Sequence, residues 1–152
     1  MRRRLARELA LQSLYQIEMN GVAPADAVSH VVEEARTEDE AQLTRERDQI
    51  SPPHIIELVE GTLSHKQSID GLLLDYLKGW QMDRLSRVDR EILRLATYEM
   101  VFRDDVPPKV VVNEAIEMAK HFGTDDSGKF VNGVLGKMIR DLDSIRQKSP
   151  EA

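Results

Sequence analysis

The sequence predicts an all-α fold. Apolar residues recur at i, i+3, i+4 and i+7 through its apolar segments, which is the spacing of one helix face. No segment alternates at period two for long enough to make a strand, and Gly or Pro falls between the periodic stretches, where helices stop and restart. Six or seven helices with short connections are expected, packed as a bundle.

The first helix is MRRRLARELALQSLYQIEMNG, with Ala6, Leu9, Ala10, Ser13, Leu14 and Ile17 on its core stripe and Gly21 at its end. Off that stripe Arg4, Leu11 and Tyr15 align, with Arg3 and Arg7 beside them. An arginine-rich helix start is ordinarily a solvated face. Four arginines in the first seven residues nevertheless oppose the helix dipole, which favours anions at an N-terminus. Pro24 then opens a second helix at its first helical position, with Ala27, Val28, Val31, Val32 and Ala35 along one side. Residues 37–48 are polar and mixed in charge, which fits either a mobile connection or an exposed helical extension.

Ser51-Pro-Pro restarts the chain, and a stripe of Ile55, Ile56, Val59 and Leu63, then Ile69, Leu72, Leu73, Tyr76 and Leu77, runs to Gly79 with a break near Ser64 to Gln67. Trp80 and Met82 fall in a short connection. Ser86-Arg-Val-Asp89 has the form of a capping box with Asp in place of Glu. It opens a helix through Ile92, Leu93, Leu95, Ala96, Met100 and Val101, which Asp104-Asp-Val-Pro-Pro108 stops. The next helix places Val111, Ala115, Met118, Ala119 and Phe122 on one face, and the last carries Phe130, Val131, Val134, Leu135, Met138, Ile139 and Leu142. The triplet of valines at 110–112 is too short to overturn this register. One domain over 1–147 and a polar tail over 148–152 are expected.

Composition narrows the function. A chain of 152 residues hides roughly 70% of its unfolded surface on folding, enough for a real core. With 41% hydrophobic and 32% charged residues, no apolar run of about 18 and no signal segment, a soluble cytoplasmic protein without membrane contact is expected. Zero cysteines exclude disulfides, thiolate metal sites and cysteine nucleophiles. The net charge of -6 argues against a generally basic nucleic-acid binder, although an average can hide a patch.

Sites of chemistry are hard to find. His30, His54, His65 and His121 lie far apart and show no ligand spacing, so no metal is expected. No GxSxG elbow is present, and Ser51, Ser86 and Ser127 are better read as helix caps. The segment GTDDSGKF, 123–130, matches most of a phosphate-binding loop. Such a loop needs a hydroxyl after the lysine, a strand leading in and no competing anions. Here Phe130 stands at the hydroxyl position, Asp125 and Asp126 lie in the loop, and the preceding segment has helix period. The segment is therefore read as a turn between helices, with Gly123 as a left-handed cap and Asp126 or Ser127 capping the next helix. No catalytic residue and no cofactor is expected.

Two clusters remain: the arginine-rich first helix and DDSGKFVNG, where Lys129 and Phe130 sit together at a helix start. A lysine neutralises phosphate, helix-start NH groups accept an anion, and an exposed ring stacks on an unpaired base for roughly 1 to 3 kcal/mol. The combination suits single-stranded RNA, and the aspartates suit it better than a pyrophosphate, because a carboxylate accepts from a base amino group. Residue type leaves Phe130 equally open to burial and exposure.

At these residues the chain resembles the NusB family of bacterial transcription antitermination factors. The resemblance is carried by VDREILRLATYEMVFRDDVPPKVVVNEAIEMAKHFGTDDSGKFVNGVLGK and by the front segment RELALQSLYQ, and it is weakest from about Gly21 to Leu58. It implies an all-α fold of two packed helical subdomains and no catalysis. It further implies binding of the boxA element of ribosomal RNA leaders as a heterodimer with NusE, a small-subunit ribosomal protein. Other Nus factors and RNA polymerase are then partners, in support of rRNA synthesis. By position, Arg3, Arg4 and Arg7 correspond to basic RNA contacts near the N-terminus, and Asp126, Ser127, Lys129 and Phe130 to a second RNA-contacting segment. Tyr15 joins the first set as the aromatic on its basic face. The NusE-facing surface maps to Asp83, Leu85, Asp89 and Arg90. Many relatives carry histidine where this chain has Gly128, which removes one hydrogen-bonding group. Some relatives self-associate through the surface that meets RNA, so a homodimer is a further expectation.

Two rivals share the helical architecture. The RNA-binding domain of rRNA cytosine-C5 methyltransferases resembles NusB, but such an enzyme needs a cysteine nucleophile and a cofactor domain, and the short polar end SIRQKSPEA reads as that of a complete small factor. A helical adaptor that binds only proteins is the other, since a basic helix face also suits an acidic partner.

Overall fold

The computed structural model describes residues 3–42, 51–77 and 85–148, and among them every regular element is an α-helix. In chain order these are α1 (Arg3–Asn20), α2 (Pro24–Gln42), α3 (Pro52–Ser64), α4 (Lys66–Leu74), α5 (Arg87–Phe102), α6 (Pro108–Phe122), α7 (Ser127–Arg140) and α8 (Leu142–Lys148). They divide into two compact units at Leu63/Ser64.

In the first unit α1 and α2 pack on each other. Ala6, Leu9, Ala10, Ser13 and Leu14 are buried as the periodicity requires, while Ile17 is half-buried. The Ser13 hydroxyl is accommodated in the core because it donates to the Leu9 carbonyl at 2.8 Å. Gly21 ends α1 with φ +67°, a left-handed conformation that costs a residue without a Cβ nothing, and its NH donates to Ile17 O at 2.9 Å. Ala27, Val28, Val31 and Val32 of α2 are buried. The polar stretch from Thr37 is helical as far as Gln42, so its first part is an extension of α2; residues 43–50 lie outside the described residues. In α3 the buried positions are Ile55, Leu58, Val59 and Thr62. Ile56 and Leu63, expected inside, are half-buried, because the buried stripe runs one residue away from the one the sequence suggests.

In the second unit α5 packs against α4, α6, α7 and α8. Every residue from Glu91 to Val101 is buried, so α5 forms the axis around which the other four helices are arranged. Burial of each large aliphatic side chain is worth roughly 1.5–3 kcal/mol, and Leu93, Leu95 and Met100 are fully enclosed. The axis also carries charge. Arg94 donates to Asp70 of α4 through Nε at 2.8 Å and Nη2 at 2.9 Å, and to Glu91 through Nη1 at 2.7 Å. Burial works against the Arg94 cation, but Asp70 and Glu91 outweigh it and raise its pKa. This fork ties α4 to α5 and pairs both carboxylates with the one guanidinium. At the other end of α5, Arg146 of α8 donates to Met100 O at 2.6 Å and 3.0 Å, closing carbonyls that a helix C-terminus leaves open.

The break between α3 and α4 falls at His65 (φ −104°, ψ 13°), within the expected interval, and the His65 ring stacks on Phe102 at 4.1 Å. Helix α4 stops at Leu74 rather than continuing to Gly79. Asp75 and Tyr76 turn there, with NH groups bonded to Leu72 O and Leu73 O, and the Tyr76 hydroxyl donates to Asp141 at 2.8 Å. Burial first, then that bond and the nearby carboxylate charges, push the Tyr76 hydroxyl up to about 12, so it stays a donor at neutral pH. Trp80 and Met82 lie outside the described residues. Ser86 caps α5 as its capping box requires, accepting from Asp89 NH at 3.1 Å. Among the described residues no helix is long and apolar enough to cross a membrane.

Candidate nucleic-acid interface

The GTDDSGKF segment connects α6 to α7 and is preceded by a helix, as the period of VVVNEAIEMAKHF requires. A phosphate-binding loop would follow a strand, so the nucleotide reading fails on architecture as well as on residue type. The details of the turn depart from expectation in one respect. Gly123 is extended (φ −99°, ψ −157°), not left-handed. Its lack of a side chain is required by packing: a Cβ there would strike Ser127 Oγ, Ser127 Cβ at 2.7 Å and the Ala119 carbonyl at 2.8 Å.

Ser127 explains the approach. Its hydroxyl accepts from Thr124 NH at 2.9 Å and meets Thr124 Oγ1 at 3.2 Å, while its own NH donates to Thr124 O at 3.1 Å. The residue is 1% exposed. Ser127 was expected as an RNA contact; buried and committed to the turn, it holds the loop in shape instead of reaching outwards. The N-cap position belongs to Asp126, whose side chain makes no cap bond although its carbonyl accepts from Phe130 NH at 3.0 Å. Asp125, Asp126 and Lys129 are exposed, and Phe130 is half-buried. Phe130 is thus neither a core residue nor a free platform: part of its ring surface is accessible beside an exposed lysine and two exposed carboxylates. Gly128 is buried, and a Cβ there would meet the Lys120 side chain, Cγ at 3.2 Å and Cε at 3.6 Å.

The α1 start has a different character. Its first turn contains no acidic residue, so the positive end of the dipole stays uncompensated there by sequence-local charge. Arg4 is exposed and Tyr15 half-buried; the Arg3 side chain lies outside the described residues. Arg7, expected among the phosphate contacts, is 3% exposed, and Leu11 on the same supposed face is buried too. Arg7 therefore belongs to the packed side of α1. The sequence pattern hid this because one buried stripe already accounted for the helix.

Of the residues expected to face a protein partner, Asp83 lies outside the described residues. Leu85 is buried, and Asp89 and Arg90 are half-buried in the first turn of α5. Asp89 Oδ1 is enclosed with no hydrogen-bond partner among the described residues. Among those residues no cluster of His, Asp or Glu is positioned to hold a metal ion.

Residues 4–140 match the NusB family. The chain belongs to that family. The transcription antitermination protein NusB of Bacillus velezensis is 43% identical over 144 residues, covering 95% of this chain and all of the relative. T. maritima NusB superposes with a TM-score of 0.74 at 34% identity, over 97% of this chain and 92% of that one. A crystal structure of the antitermination factors NusB and NusE in complex with double-stranded RNA gives 0.71 at 26% identity over 97% of both chains. The all-α fold is that of NusB structures, and the chain is a NusB-family transcription antitermination factor.

Proposed function

We propose that the chain binds the boxA element of ribosomal RNA leaders together with NusE, and that this pair joins other Nus factors on RNA polymerase to suppress termination. The observation that supports it most is the α6–α7 turn, whose internal bonds leave Asp125, Asp126, Lys129 and part of Phe130 on the outside. Lys129 supplies phosphate neutralisation, the accessible part of Phe130 a stacking surface, and the aspartates acceptors for base amino groups. Arg3, Arg4 and Tyr15 of α1 are the second set, with Arg7 and Ser127 supporting from within. The similarity to a protein crystallised with NusE and RNA favours the same partners here. Asp89 and Arg90, with Asp83, are proposed to meet NusE, and buried Leu85 to support the start of α5 from within. Self-association through the RNA-facing surface is proposed as the store of inactive protein.

The test is binding of a labelled boxA-type RNA and a scrambled control, with and without NusE, at two salt concentrations. Tighter and sequence-selective binding in the presence of NusE is expected. Equal, weak, salt-driven binding to both RNAs in every mixture would leave a helical adaptor for proteins and refute the reading.

A further inference from the structure

Gly128 sits in the first turn of α7, buried, and the space in front of its Cα is taken by the aliphatic stem of Lys120 from α6. A Cβ at 128 would lie 3.2 Å from Lys120 Cγ, 3.6 Å from Lys120 Cε and 3.9 Å from Ile116 Cγ2. The lysine stem therefore packs against the α7 start in the space a side chain at 128 would occupy, and its ammonium pairs with Glu117 of α6. The head group is in water: the Lys120 side chain is 66% exposed, and its ion pair with Glu117, at 3.3 Å, joins two exposed partners. Such a pair is worth little and is readily exchanged for another anion.

We infer that Lys120 is a further phosphate contact of the RNA-facing turn, directed there by the absence of a side chain at Gly128. The inference rests on the proposal that this turn meets RNA. With it the turn presents two cations, Lys129, next in sequence to Gly128 in α7, and Lys120 from α6. Glu117 acts as the resident competitor that a phosphodiester displaces. The ligand chemistry is a nucleic-acid backbone read without regard to base, because an ammonium acts as a point charge.

The experiment compares the full-length variants K120Q, E117Q, G128Q and K129Q with the parent chain for binding of boxA-type and scrambled RNA across a salt series. Thermal midpoints are recorded for each as a folding control. K120Q is expected to weaken both RNAs alike, roughly threefold to tenfold at about 0.1 M salt, and to lower the slope of log K against log salt by roughly 0.7. E117Q is expected to act in the opposite sense and tighten binding. G128Q, which claims the space of the lysine stem, is expected to match K120Q, and the K120Q/G128Q double variant to be no weaker than either alone. If K129Q lowers the slope and K120Q does not, Lys120 is no contact and this inference fails while the turn remains the RNA surface. If neither variant changes the slope, the assignment of the turn to RNA fails, and this inference with it.

Discussion

Helices α1 and α6 both end at a glycine, Gly21 and Gly123, and the two glycines answer different demands. Gly21 has a positive φ and open space around it, with nothing within 4 Å of where a Cβ would stand. Gly123 has an ordinary extended backbone and no space at all, because Ser127 folds back over it. The first turn is a matter of backbone conformation, tolerant of any residue that accepts the left-handed region. The second is a packed knot of Thr124 and Ser127 against the end of α6. That difference suits the role proposed for the second turn: presenting Lys129 and Phe130 in fixed geometry needs internal bonds, whereas a turn that reverses the chain does not.

The comparison can be broken most directly by G123A, which must displace both Ser127 and the Ala119 carbonyl. A loss of about 1–3 kcal/mol is expected in denaturant unfolding, accompanied by weaker RNA binding. G21A is expected to cost less, about 1 kcal/mol, from the left-handed backbone alone, with RNA affinity unchanged. S127A sharpens the contrast: it removes the acceptor for Thr124 NH at a cost of about 1 kcal/mol, yet it also removes Oγ, one of the three atoms that a Cβ at 123 would strike. The G123A/S127A double variant is therefore expected to be less destabilised than the sum of the singles, a coupling readable in a double-mutant cycle. The smallest effect is expected for G21N, within a few tenths of a kcal/mol of the parent in the same unfolding assay, because Asn tolerates the left-handed region. Equal costs for G123A and G21A would remove the distinction between the two turns.

Much of this was legible in the residues. The stripe Ala6, Leu9, Ala10, Ser13 and Leu14 and the positions Ile92, Leu93, Leu95, Ala96, Met100 and Val101 read as buried helix faces from their period, whereas the burial of α5 all round did not. The capping role of Ser86 followed from its offset to Asp89. What periodicity could not show were interactions between distant elements. The Arg94–Asp70 fork pairs residues 24 apart in sequence, and nothing local marks Asp70 as its partner. Arg7 looked like part of a charged face because a helix with a second buried side carries no separate signature when that side includes an arginine. The end of α4 at Leu74 was missed for a similar reason: apolar residues at 76 and 77 extend the pattern past the turn that stops the helix. At the candidate interface the residue types of GTDDSGKF identified the segment, but the inward direction of Ser127 and the stem of Lys120 over Gly128 depend on how α6 and α7 approach.

The central claim is that the α6–α7 turn, held from within by Ser127, is the surface that meets RNA. Amide shift mapping of the isotopically labelled chain, titrated with boxA-type RNA in the presence of unlabelled NusE, tests it directly. The largest RNA-dependent shifts are expected at Asp125, Asp126, Lys129 and Phe130 and in the first turns of α1. Shifts that leave 124–130 untouched while RNA binds would contradict the account and place the RNA elsewhere on the molecule.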